Sequence, residues 1–147
     1  MKLNEYKTRI LAEYIKDMYT AGMISKYGAY TEKANEINRR LYGRGFSNFF
    51  MNSMMHHSML HLDTASETAI VNRLNDGERY GIWLTEAASG QSGWCWHYLL
   101  PDDITDDAFL ELVNNNRKLY GLSESKYSQS EMSKAARLLD DEMQYEI

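Results

Sequence analysis

Apolar side chains recur at three- and four-residue steps through the first part of the chain, at Tyr6, Ile10, Leu11, Tyr14, Ile15, Met18 and Tyr19. That period belongs to one face of a helix, and it predicts a helix over residues 3–23 that Gly22 and Gly28 bring to an end. A second helix follows over residues 31–42, with Ala34, Ile37 and Leu41 on one side and Lys33, Glu36, Arg39 and Arg40 largely on the other. Gly43-Arg44-Gly45 breaks it.

The next pattern has almost no polar side. Residues 45–62 are 18 positions without Asp, Glu, Lys or Arg, and they hold four methionines, three phenylalanines and three histidines. Eight of the 18 are Ser, Asn or His, too many for a helix facing lipid. Read as a helix, the segment puts Phe46, Phe49, Phe50, His57, Leu60 and His61 on one broad face and Met51, Met55, Met59 and Leu62 on another. A helix that is apolar nearly all round belongs at the centre of a domain or against a partner.

Asp63-Thr64-Ala65-Ser66-Glu67 has the spacing of a capping box, from Thr64 to Glu67, and opens a helix through residue 75 that Asp76-Gly77 stops. From Arg79 the period becomes two. Residues 80–85 and 94–99, joined by a Gly/Ser-rich connector, predict an aromatic hairpin with Trp94, Trp96 and Tyr98 on one face. Pro101 ends the second strand. Thr105, with Asp106 and Asp107 behind it, caps a helix that Phe109, Leu112, Val113 and Leu119 carry to Gly121. A last helix, opened by the Ser128–Glu131 spacing, runs through Leu138 and Leu139 to an acidic end. The expected class is α+β, predominantly helical, with five or six helices and one aromatic hairpin. The expected organisation is a single domain over residues 1–147.

Composition sharpens this picture in two places. Net charge is −5, but residues 1–80 carry +2 and residues 81–147 carry −7. An acidic half this strong disfavours non-specific contact with nucleic acid, and serves solvation or the recognition of a basic surface. One cysteine, Cys95, cannot form an internal disulfide, and the N-terminus lacks the continuous apolar core of a signal peptide. A cytoplasmic location with no membrane contact is the expectation.

Candidate chemistry is sparse. His57 and His61 stand four apart, a spacing that suits two metal ligands, but further ligands would have to come from His97, Cys95 or Asp63, and no metal site is expected. Cys95 and His97 share a strand face, yet a thiol among tryptophans reads first as structural. No nucleophile elbow or phosphate-cradling glycine loop is present, so neither catalytic residues nor a cofactor is expected.

The element order, helices and then an aromatic hairpin, resembles a winged-helix arrangement over roughly residues 3–100. That resemblance implies a DNA-binding regulator, for which Lys33, Arg39, Arg40, Arg44 and Arg73 are the candidate phosphate contacts. It is the second reading, because the helix from residue 64 carries more acid than base. The first reading is a small binding protein whose partner is another protein or a protein–nucleic acid complex. Its contact residues are Met51, Met55, Met59, Trp94, Trp96 and Tyr98, since adaptable methionines and large aromatics carry binding energy. A homodimer through the Met/Phe helix is the form that self-association takes. In composition, an acidic chain rich in Tyr, Met and Asn with one proline, it resembles the accessory proteins of bacterial viruses that inhibit host or defence machinery.

Overall fold

The computed structural model describes residues 4–43, 61–76, 83–85, 92–94 and 104–128. Four helices carry this body: α1 (Glu5–Thr20), α2 (Glu32–Tyr42), α3 (Glu67–Asp76) and α4 (Asp106–Leu119), with a single 3-10 turn at Lys126–Ser128. α1 starts where the Asn4 side chain accepts the Lys7 N–H at 2.8 Å, one of the amides that a helix start leaves without an internal partner. Gly22 at φ +78° turns the chain out of it. Thr31 caps α2 and Thr105 caps α4 in the same way, each hydroxyl accepting an amide three residues on.

α1 is the central helix. Ten of its 16 residues are buried, among them Tyr6, Ile10, Leu11, Ala12, Tyr14, Ile15 and Met18, and it packs against both α3 and α4. Ile70, Val71 and Leu74 of α3 and Phe109 and Val113 of α4 close over it, with Met23, Ile24, Leu62, Tyr120 and Tyr127 filling the ends of the same cluster. α2 is attached more lightly, by Ala34 and by Asn38, whose carbonyl oxygen accepts from the Tyr120 hydroxyl at 2.8 Å. Tyr30 stacks on Tyr120 beside that bond, ring centroids 6.4 Å apart.

The α+β expectation is corrected to a helical fold. Trp83–Thr85 (β1) and Ser92–Trp94 (β2) pair only with each other, antiparallel and three residues long, with Trp83 opposite Trp94. Strands of globular sheets usually run about five to six residues, and an isolated two-stranded ribbon supplies no layer for helices to cover. The core of the described residues is built by the helices and the turns that join them. The winged-helix resemblance goes with it, because the described strands form a single two-stranded ribbon and the described core is built around helices.

Two local expectations also change. The cap of α3 is Ser66, whose hydroxyl accepts the Ala69 N–H at 3.0 Å, whereas Thr64 donates backwards to the His61 carbonyl at 3.3 Å. Glu67, freed from a capping box, reaches the far end of the chain instead. Residues 61–66 are not helical, with a turn at 62–64, so the predicted Met/Phe helix does not reach Leu62; its residues 45–60, and the predicted helix after Ser128, lie outside the described residues.

Candidate functional site

The densest polar chemistry in the body lies where α1, α3 and α4 meet residues 122–128. Glu13 projects from the middle of α1, 6% exposed, and Arg117 from the last turn of α4, 3% exposed. One Glu13 oxygen accepts from the Ser125 hydroxyl at 2.5 Å, and the other accepts the Lys126 N–H at 2.9 Å. Arg117 donates through Nε to the Ser123 carbonyl and through a terminal nitrogen to Asp17, both at 2.7 Å. Its other terminal nitrogen lies 3.7 Å from Glu13, too far for a hydrogen bond.

The same segment is tied to the other helices. Asn114 accepts the Ser125 N–H at 2.8 Å and donates to the Ser128 hydroxyl at 2.8 Å. Lys126 reaches Glu67 at 2.8 Å, and the Tyr127 hydroxyl donates to the second oxygen of that carboxylate at 3.2 Å. Tyr127 also sets its ring edge-on to Tyr6, centroids 6.2 Å apart.

The electrostatics follow from this geometry. Burial pushes the Glu13 carboxyl above its ordinary value; the Ser125 and Lys126 hydrogen bonds and the Arg117 charge oppose that, and Asp17 one turn along adds to it. Burial pushes the Tyr127 hydroxyl up as well, helped by the charge on Glu67. For Lys126, burial pulls down but the bond and charge of Glu67 outweigh it, and the ammonium ends above its ordinary value. A serine hydroxyl on a carboxylate is also the start of a nucleophile, but here the Ser125 oxygen accepts the Tyr127 N–H at 3.1 Å and is buried with it. The arrangement clamps a chain segment onto a helix.

The residues expected to bind lie elsewhere. Met51, Met55, Met59, Trp96, Tyr98 and Arg44 fall outside the described residues, as do His57, His97 and Cys95. Trp94 ends β2, and Arg73 lies on α3. Lys33 is exposed but donates to the Ala21 carbonyl at the end of α1, 2.8 Å away, and Arg39 is paired with Glu32 across two turns of α2. Arg40 is exposed beside them. Their basic character is thus spent in part on holding α2. His61 packs edge-on against Tyr27, centroids 5.0 Å apart, and no group of three or more metal-ligating side chains is gathered among the described residues.

The described residues on either side of positions 44–60 are held by the body. The described body ends at Gly43, φ +77°, behind the last turn of α2, and resumes at residues 61–62. There Leu62 donates its N–H to the Lys26 carbonyl at 2.9 Å, and Lys16 donates to the Leu62 carbonyl at 2.6 Å. At each root an apolar or aromatic side chain stays in solvent: Leu41, 47% exposed, and Tyr27, 37% exposed.

Sequence reasoning missed the Glu13–Arg117 cluster altogether. Glu13 and Asp17 flank the apolar stripe of α1 and look like solvated positions, and their partners stand about 100 residues away. The one available signal was Glu13 itself, a carboxylate set between Ala12 and Tyr14 in a helix whose apolar positions spread widely around the axis.

Comparison with known proteins adds no relative. No protein family, curated protein or solved structure matches this chain. Among the described residues no helix is long and apolar enough to cross a membrane.

Proposed function

We propose that this protein acts by occupying a surface on another protein, alone or in a complex with nucleic acid, and that the uncharged Met/Phe segment is the centre of that contact. The observation that carries the reading is the exposure of Leu41 and Tyr27 at the two points where the segment joins the body. Either one alone is ordinary, since much of any protein surface is apolar. Together they extend the apolar character of residues 45–60 onto the fixed body at both roots, and an apolar surface bordered by polar groups is what a protein interface presents. The buried ionisable groups that could do chemistry are instead engaged in holding helices and chain together.

The resemblance in composition extends the proposal to a target class: host or defence machinery of a bacterium, inhibited by an accessory protein of a virus. The experiment is an affinity capture of the tagged protein from bacterial lysate, with and without nuclease, alongside a variant carrying Met51→Gln, Met55→Gln and Met59→Gln. The reading expects one dominant protein that survives nuclease and is lost with the folded variant. Capture that depends on nucleic acid overturns it.

A further inference from the structure

Among the described residues Lys7, Arg9, Arg39, Arg117 and Lys126 each face a carboxylate across an ion pair. Lys16 and Lys26 do not. The Lys16 ammonium donates to the Leu62 carbonyl at 2.6 Å and lies 5.5 Å from the centre of the Tyr19 ring, and the Lys26 ammonium lies 5.2 Å from the centre of the Tyr27 ring. Of the acids beside them in sequence, Asp17 is turned to Arg117 at 2.7 Å and Asp63 is exposed. A ring attracts an ammonium without neutralising it, so two fixed positive charges are left for a carboxylate from outside.

Leu62 brings these groups to one place. Its carbonyl takes the Lys16 ammonium, its N–H goes to the Lys26 carbonyl at 2.9 Å, and its neighbour His61 sets its ring at right angles to Tyr27, centroids 5.0 Å apart. The turn that carries Lys26 and Tyr27 is itself held. The Ser25 hydroxyl accepts the Tyr27 and Ala29 N–H groups, both at 3.2 Å, and the Ser25 N–H donates to the Ala29 carbonyl at 2.8 Å. Met23 and Ile24, just before it, are in the core. Tyr27 is thus a large aromatic, 37% exposed, on a backbone that loses little freedom when a partner closes on it.

We propose that Lys16, Lys26, Tyr27 and His61 form a docking rim for an acidic segment of the partner protein, one that brings carboxylates to the two ammoniums and lays its chain against the rings. The proposal rests on the reading of this protein as a binder of another protein, and adds the chemistry that the partner presents. Charge complementarity selects the occupant, since a carboxylate gains a charge-assisted hydrogen bond from each lysine. Nucleic acid is also negative, but single strands bind by stacking bases on aromatic faces along a basic groove. Here the two rings are engaged by Lys16, Lys26 and His61, and a net charge of −5 works against a polyanion more than against a short acidic segment. Position agrees as well. His61 is the first described residue after positions 44–60, the centre of the proposed contact, and charged groups at the edge of a contact set its approach and its salt dependence.

The test is a titration of the isotope-labelled full-length protein with hexaglutamate, followed by amide shifts at low and at physiological salt. Saturable shifts centred on Lys16, Lys26, Tyr27 and His61 are expected, with an affinity that falls as salt rises. Lys16→Gln and Lys26→Gln are each expected to weaken binding about threefold, as for exposed ion pairs, whereas Lys118→Gln, which removes the same charge from an exposed position on α4, leaves it unchanged. Shifts scattered over the body, an affinity that neither rim variant lowers, or tighter binding of hexathymidylate than of hexaglutamate at the same salt overturns the proposal. Should Lys16→Gln fail to fold, Lys26→Gln, at an exposed side chain, decides alone. Capture from lysate separates the rim from the reading beneath it. Capture that depends on nucleic acid overturns both. A protein partner that is lost with the Met51, Met55 and Met59 variant but fully retained by the Lys16→Gln, Lys26→Gln double variant overturns the rim alone.

Discussion

Arg117 ties three groups of the described structure together. It holds the Ser123 carbonyl, pairs with Asp17 and stands as the nearest positive charge to Glu13. Replacing it with Met keeps the apolar stem but strands a buried carboxylate, a change that costs about 3–5 kcal/mol when a buried pair is broken. Urea denaturation checks this, and a loss below ~1 kcal/mol would show that the cluster is worth little. The Tyr120–Asn38 bond is the neutral counterpart. Tyr120→Phe leaves the buried Asn38 carbonyl without that donor and is expected to cost about 1–3 kcal/mol, read in the same way. Glu13 also sets a sign for the whole protein's pH dependence. A carboxyl raised above its ordinary value of 4.5 binds more protons folded than unfolded, so its contribution to stability grows as pH falls from neutral toward that value. Thermal melts of wild type and Glu13→Gln over that range are expected to converge in mild acid and to separate toward neutral pH, with the variant the more stable there.

At the level of elements, α1, α2 and α4 were legible because their periodicity and caps are local. Asn4, Thr31 and Thr105 sit where each helix begins, and Gly22 and Gly43 where α1 and α2 give way. Gly43 shows how local the control is: a Cβ there meets nothing within 4 Å, yet φ is +77°. Gly43→Ala is therefore expected to cost about 1–2 kcal/mol through backbone conformation alone, and α2, the helix most lightly attached, is where exchange should quicken first. What was not legible is how deeply α1 is buried among the described residues. α1 is buried on nearly all sides because Lys7 and Glu13 go inside with partners on distant segments and Thr8 with the Asn4 carbonyl one turn back. A pattern of polar and apolar letters marks such residues as surface. The aromatic alternation in residues 80–99 predicted a hairpin that would make the fold α+β; its described part, the three pairs from Trp83–Trp94 to Thr85–Ser92, leaves the fold helical.

On the scale of the whole molecule, the helical body is a platform with an uncharged segment rooted at two fixed points. Positive charge on α2 is partly used within the body, by Lys33 on the end of α1 and by Arg39 on Glu32. With a net charge of −5, affinity for duplex DNA is expected to be weak at physiological salt, checked by a binding titration against ionic strength. The contact residues expected from sequence, Met51, Met55, Met59, Trp96 and Tyr98, lie outside the described residues, while the roots of their segment, at Leu41 and Tyr27, are in place. The candidate surface was legible only as a composition. The most direct measurement is the nuclease-treated capture, repeated with the Met51→Gln, Met55→Gln, Met59→Gln variant after circular dichroism has shown that it folds. The account predicts a single stoichiometric protein partner for the wild type and none for the variant. Equal capture by both proteins, or recovery that vanishes with nuclease, contradicts it.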